Sequence, residues 1–300
     1  MVKTTAPPPC SEVPRLRPVR QLARCHRSAR AAAARSACSS SEDTTVDITV
    51  QSFAVANLRR RPAALEIGGF VAGFDPATTS PYINYATPVP GTRPTDRDVS
   101  VLIEAFRERG LRPRLEFAPQ AAPAVEAAVR RAGFATEAVH EYMVCTPATL
   151  MPRPTGNRTT SGLSVEIPRT NEDYAAIDAA LSEAFAGDFA PSPEGAARLR
   201  RTQENGGAVR FVRAPDGGCA GAASCSAPAV GTSELAGVGT RPAFRGRSVA
   251  ASVTWALTQA MFSRGAGSVW LEYAGEGSRR VYERVGYRPQ GTRLYMSLEG

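Results

Sequence analysis

The chain has only two histidines, His26 and His140, among 300 residues. Histidine is the usual switch and metal ligand near neutral pH, so His-based triads and His-rich metal sites have almost no material. Six cysteines (10, 25, 38, 145, 219 and 225) show neither a Cys-x-x-Cys pair nor a metal-finger spacing. They read as reduced thiols of an intracellular protein, with Cys145, Cys219 and Cys225 as small strand residues, and no metal is expected. No apolar run approaches the ~20 residues of a membrane span, so no membrane partner is expected. A secretory h-region is lacking too. Acidic residues are in deficit: 28 Asp and Glu face 36 Lys and Arg, a formal charge of +8.

That surplus is uneven. Residues 1–45 carry a net +5 and the other 255 only +3. The segment 1–45 is rich in Arg, Ala and Ser and has too few large apolar residues to fold alone. Three readings stay open for it: a disordered appendage or translated upstream stretch, an organelle transit peptide, or a nucleic-acid-binding arm. The first makes the protein cytoplasmic and the second sends it to an organelle; the nucleic-acid reading is the weakest. The remainder, in a chain 43% hydrophobic, suffices for two modest cores.

The most informative stretch is Glu234–Ala250, ELAGVGTRPAFRGRSVA. ELAGV reads as a strand, stopped by Pro242, which cannot donate to a ladder. VAASVTWALTQAMF reads as a helix with apolar residues at helical spacing. Between them lies a turn stripped of bulk and flanked by Arg245 and Arg247. Helix dipole, free N–H groups and guanidinium charge all favour an anion there, most simply a pyrophosphate.

The frame Arg245-Gly246-Arg247-Ser248-Val249-Ala250 resembles motif A of the GCN5-related N-acetyltransferases (the GNAT superfamily), Arg/Gln-x-x-Gly-x-Gly/Ala. Ser248 stands where that pattern has Gly, and a serine can pass the pyrophosphate there if its φ is negative. Downstream, Gly275, Ser278, Val281, Tyr282, Glu283, Gly286 and Tyr287 resemble the family's N-x-x-A-x-x-L-Y-E-x-x-G-F stretch, with Gly275 in place of Asn or Asp. Strands over LSVEI, AVRFVR, CAGAASCSA, GSVWLEYAG and TRLYMSLE, and helices over 171–187, 193–203 and 276–286, complete the family's order across residues 162–300.

An internal echo precedes that region. Residues 128–144 line up without a gap against 281–297 at an offset of 153, pairing Gly133 with Gly286 and Tyr142 with Tyr295. A helix over DVSVLIEAFRERG sits where a motif A helix belongs. The sequence therefore predicts a mixed α/β fold with two tandem GNAT-like domains: a shortened, degenerate copy at 46–150, a linker at 151–161 and a catalytic domain at 162–300. Thr95-Asp96-Arg97-Asp98, set against Phe244–Arg247, puts two carboxylates beside any pyrophosphate, and Val129 replaces Tyr282. Tandem members with one failed half are known in the superfamily.

The resemblance implies acetyl-CoA as co-substrate and transfer of its acetyl group to a primary amine, by default that of a small molecule. Arg245, Gly246, Arg247, Ser248, Val249 and Ala250 would form the pyrophosphate loop. Val238 and Thr240 would pair their backbone with the pantetheine arm, and N–H groups near Val238–Gly239 would polarise the thioester carbonyl. Tyr282 would protonate the leaving thiolate; its bland alternative is a helix-face aromatic in the core. Glu234 would take the amine's proton, or else be a strand residue bonded to a neighbour. A non-catalytic acyl-CoA-binding or sensing protein is the alternative function, and a homodimer is allowed. Tyr82 and Tyr85 read as first-domain core, or else as an acceptor-pocket wall; Arg59-Arg60-Arg61 reads as a solvated charged turn, and Trp255 and Trp270 as packing around the motif A helix.

Overall fold

Short apolar runs punctuated by glycine turns give eleven strands among the described residues, and all join one mixed sheet. The computed structural model describes residues 45–153 and 164–299. The segment 1–44 and most of the expected linker therefore lie outside the described residues. In chain order the strands are β1 (Ala63–Ile67), β2 (Phe70–Phe74), β3 (Tyr85–Pro88), β4 (Arg114–Phe117), β5 (Ala135–Cys145), β6 (Val165–Glu166), β7 (Ala208–Arg213), β8 (Cys219–Cys225), β9 (Thr232–Thr240), β10 (Ser268–Tyr273) and β11 (Arg288–Ser297). The helices are α1 (45–58), α2 (Asp96–Arg107), α3 (Val125–Arg131), α4 (Asn171–Ala184), α5 (Pro193–Glu204), α6 (Val249–Phe262) and α7 (Gly275–Val285).

The sheet order is β1-β2-β3-β4-β11-β5-β10-β9-β8-β7-β6. The two long hairpin-like strands trade places: β5 pairs antiparallel with β10, and β11 pairs antiparallel with β4. They also pair with each other along most of their length, from Arg288–Val144 to Ser297–Ala135. One sheet thus runs unbroken through both of the parts that the sequence reading divides into tandem domains.

Register divides the side chains between two faces. Trp270 lies opposite Glu234 and Val144, and Glu272 opposite Tyr142, so these four share a face with Trp270. That face is covered by α1, whose Val50 and Phe53 pack on Tyr142, Val144 and Trp270, and by α4, whose Ile177 and Leu181 pack on Val209, Phe211 and Ala222. Trp270 accordingly packs away from α6, with Phe53 edge-on at 5.9 Å. The other face buries Val269, Leu271 and Met143 beneath α6 and α7, and Leu115, Phe117 and Met296 beneath α2 and α3. Cys145, Cys219 and Cys225 are buried free thiols, and burial raises all three.

Candidate active site

The parallel strands β9 and β10 pair only from Thr232–Ser268 to Glu234–Trp270. Beyond that point β9 runs on to Thr240 and β10 to Tyr273 with no further pairing, so the two part like the arms of a V. On its other edge β9 stays bonded to β8, with a register shift between Ala222 and Ser224. Gly237 sits in that irregular stretch at φ +65°, a conformation that glycine enters without strain. Gly239 brings β9 close to α4: a Cβ there would fall 2.7 Å from the Leu181 side chain. Thr240, at the end of the open arm, carries a buried Oγ1 with no hydrogen-bond partner.

The helix α6 begins at this opening. Its N-cap Ser248 makes no side-chain cap, and the first turn holds no acidic residue. The leading N–H groups of α6 therefore lack side-chain partners and the positive end of the helix dipole is uncompensated. Two residues of the turn are left-handed, Gly246 at φ +75° and Ser248 at φ +60°. Ser248 therefore does not meet the negative-φ condition set for a serine at that position. The chain needs two positive-φ residues to turn from β9 into α6, and the serine meets the second of them at a cost of about 1 kcal/mol. The Arg245 guanidinium donates to the carbonyls of Thr240 at 3.3 Å and Ala184 at 3.1 Å, holding the loop to β9 and α4. Arg247 lies against Phe244, 5.5 Å from its ring centroid. Val249 is buried beneath the helix start.

Residues 175–287 match the family model described as the acetyltransferase (GNAT) family. Over those residues the chain is similar to the GNAT acetyltransferases. Solved structures with the same fold include a GCN5-related N-acetyltransferase from Kribbella flavida (22% identity, TM-score 0.68, covering 85% of this chain and 96% of that one). Another is a GCN5-related N-acetyltransferase from Sphaerobacter thermophilus (18%, TM-score 0.55, 76% of each chain). A third is a tandem GNAT protein from the clavulanic acid biosynthesis pathway (13%, TM-score 0.51, 80% and 84%). No curated protein matches the chain.

Within the matched residues, Glu234 stands at the vertex where β9 and β10 part. Burial pushes its carboxyl up to about 7; Arg293 and Arg61 oppose that rise, and Glu272 and Glu116 reinforce it. Tyr282, on α7, is buried in the core cluster that also holds Val249 and Tyr273. Its hydroxyl has no hydrogen-bond partner among the described residues, and burial lifts it to about 12. It is therefore a neutral phenol at physiological pH, with its proton available. No group of three His, Cys, Asp or Glu among the described residues fits a metal ion.

Sequence reasoning missed the ionic network beside Glu234. Arg293, fully buried, donates to Glu272 at 2.8 Å and lies 3.7 Å from Glu116. Glu116 also bonds Arg114, and Tyr295 bonds Glu272. These residues come from β4, β10 and β11, and only the exchanged strand order brings them together. Arg61, read in sequence with a solvated turn, is half-buried and acts on the Glu234 carboxyl, whereas Arg59 is an exposed partner of Glu66. Tyr85 is buried with Val55 and Leu58 of α1, and Tyr82 is 76% exposed.

The other parallel pair, β3 and β4, also parts after a single partnered position, Ala86–Leu115. There the gap is filled. Gln51 of α1, fully buried, donates to the Thr87 hydroxyl and the Pro88 carbonyl and accepts from the Ala118 N–H at 2.9 Å. The adjacent helix α2 is closed as well, by a capping box in which Thr95 and Asp98 satisfy each other's backbone N–H groups. N-cap matched to N-cap, Thr95–Asp98 corresponds to Ser248–Ala251 at the offset of 153. The sequence comparison had set it against Phe244–Arg247, four residues too early.

Proposed function

We propose that the protein is an acetyl-CoA-dependent N-acetyltransferase acting on the primary amine of a small molecule, with its chemistry in the opening between β9 and β10. The observation that carries this reading is the pairing of that opening with Glu234, a carboxyl titrating near neutrality at its vertex. The family uses acetyl-CoA, and the residues fit it. Past Glu234 the edge of β9 that faces β10, along Val238–Thr240, pairs with no strand and has the geometry to bond an extended amide-bearing arm. The orphaned Thr240 hydroxyl lacks a partner that such an arm supplies, and the uncapped start of α6, from Gly246 to Ala250, suits a pyrophosphate.

An acceptor amine is an ammonium ion in water, with a pKa of ~10.4 if lysine-like. Glu234, directly or through a water, takes the proton that frees the nitrogen lone pair. N–H groups of β9 near Val238–Gly239 draw charge from the thioester carbonyl. As the C–N bond forms and the C–S bond breaks, Tyr282 gives its proton to the sulfur and is reprotonated from solvent. The products are an amide and a free thiol, with one proton released overall. Residues 46–150 serve in this reading as a GNAT-like copy that has lost its own cofactor site and walls the acceptor side. The reading also makes the protein cytoplasmic.

Calorimetric titration of acetyl-CoA, followed by thiol release with a panel of amines from pH 5.5 to 9, tests the proposal. One saturable site and a rate that rises as Glu234 deprotonates through pH about 7 are expected; Glu234→Gln should cost about 10²-fold in kcat and flatten that limb. Binding without turnover of any amine would instead establish the acyl-CoA sensor. Absence of binding would overturn both.

A further inference from the structure

A cavity of about 810 Å³ lies between the α1–β1 turn and the end of α5. Its walls carry four guanidinium groups, Arg60, Arg61, Arg198 and Arg201, against one carboxylate, Asp75. None of the four arginines forms an ion pair among the described residues. Their sequence neighbours behave differently: Arg59 pairs with Glu66 at 2.8 Å and Arg200 with Glu204 at 2.7 Å. Arg60 is held by the carbonyls of Ala227 and Pro228, which fixes it across the gap between the α1–β1 turn and the β8–β9 connection. Asp75 is committed in turn to the Ala77 N–H at 2.9 Å. Four guanidinium charges against a single carboxylate leave a net repulsion, and an oxyanion seated among them lowers that cost.

The cavity borders the vertex of the V. Ser226, part of its wall, donates its N–H to the Glu234 carbonyl at 2.9 Å. Arg61 both lines the cavity and acts on the Glu234 carboxyl. Arg61 follows α1 on the face of the sheet opposite the one that carries α6. Arginine, the only cation in the described part of the chain because Lys3 is the sole lysine, binds carboxylate and phosphate oxygens through a planar fork.

Resting on the transferase reading above, we propose that the acceptor is an anionic amine: a small molecule whose carboxylate or phosphate is held by Arg61, Arg198 and Arg201 while its amino group reaches Glu234. A neutral amine leaves the four charges unmatched. A second carboxylate or phosphate on the molecule, reaching Arg60, would strengthen binding.

The test compares three acceptors of equal chain length, an amino alcohol, an aminoalkyl carboxylate and an aminoalkyl phosphate, by thiol release with the full chain. Arg198→Gln, Arg201→Gln and Arg61→Gln are run beside the wild type. The anionic acceptors should show a kcat/KM at least about tenfold above the alcohol, and the better of the two identifies the anion. Arg198→Gln and Arg201→Gln should raise the KM of the anionic acceptor about 10- to 100-fold, leaving acetyl-CoA affinity and the slow turnover of the alcohol unchanged. Equal use of all three acceptors, or variants that leave the anionic KM unmoved, overturns the proposal while the transferase reading stands. A readout independent of turnover covers failure of that reading. Inorganic phosphate should protect Arg198 and Arg201 from phenylglyoxal, measured by peptide mass, and equal labelling with phosphate or chloride at matched ionic strength overturns the anion site itself.

Discussion

The two places where parallel strands part in this sheet make an instructive pair. Between β3 and β4 the gap is filled by the Gln51 amide, and the next helix, α2, is sealed by Thr95 and Asp98. Between β9 and β10 the gap stays open, Thr240 keeps an unpartnered hydroxyl, and α6 starts with no side-chain cap. Backbone groups that lack a partner inside the fold cost stability unless water or a ligand satisfies them. The first site has answered every one of them from within the chain. The second has left the same kind of group for something from outside. One geometry therefore serves as a finished structural joint or as a binding site, according to a handful of side chains.

The largest effect should come from closing the second site with an acid like that of the first. Ser248→Asp places a carboxylate at the N-cap of α6, at a position whose left-handed backbone Asp tolerates. Acetyl-CoA affinity should fall about 10²-fold or more by calorimetry while the melting temperature of the free protein holds or rises. Ser248→Gly, which relieves the strained φ, should bind at least as tightly as the wild type. Next, Gln51→Ala unplugs the first gap and leaves the Ala118 N–H and Pro88 carbonyl unsatisfied. A loss of about 3 kcal/mol in denaturant unfolding is expected, with no second acetyl-CoA site gained. A second site would make the two gaps equivalent and break the comparison.

Tyr282→Phe should lower kcat about tenfold and leave the acetyl-CoA dissociation constant alone, since the phenol is asked only for a proton. An unchanged kcat from pH 6 to 9 would return Tyr282 to a packing role. The smallest effect belongs to Thr95→Ala: about 1 kcal/mol of stability from the lost cap of α2, with acetyl transfer unaffected.

Local signals made much of the fold legible. The helix over VAASVTWALTQAMF matches α6 residue for residue because its composition, its polar start and its end before Gly265 all agree. Strand AVRFVR likewise stands as β7, and CAGAASCSA stands as β8 except for its last two residues. What stayed hidden depends on pairing across long separations. Nothing near Arg293 announces that it will meet Glu116, and nothing near Gln51 announces a vacancy between β3 and β4. The φ of Ser248 could not be read in advance because residue type alone does not fix it; the tight path from β9 into α6 does. Arg61 was read with Arg59 as a surface charge because sequence adjacency says nothing about which of two neighbours a helix end turns inward.

The exchange of β5 and β11 has a genetic consequence. A start codon placed after residue 150 would delete β5, the strand that satisfies β10 along Glu141–Cys145, and leave a bare edge prone to pairing with other chains. A stop codon before β11 would do the same to β4. The part of the chain with its gap filled cannot be discarded by a simple shortening of the gene, and its retention requires no activity of its own.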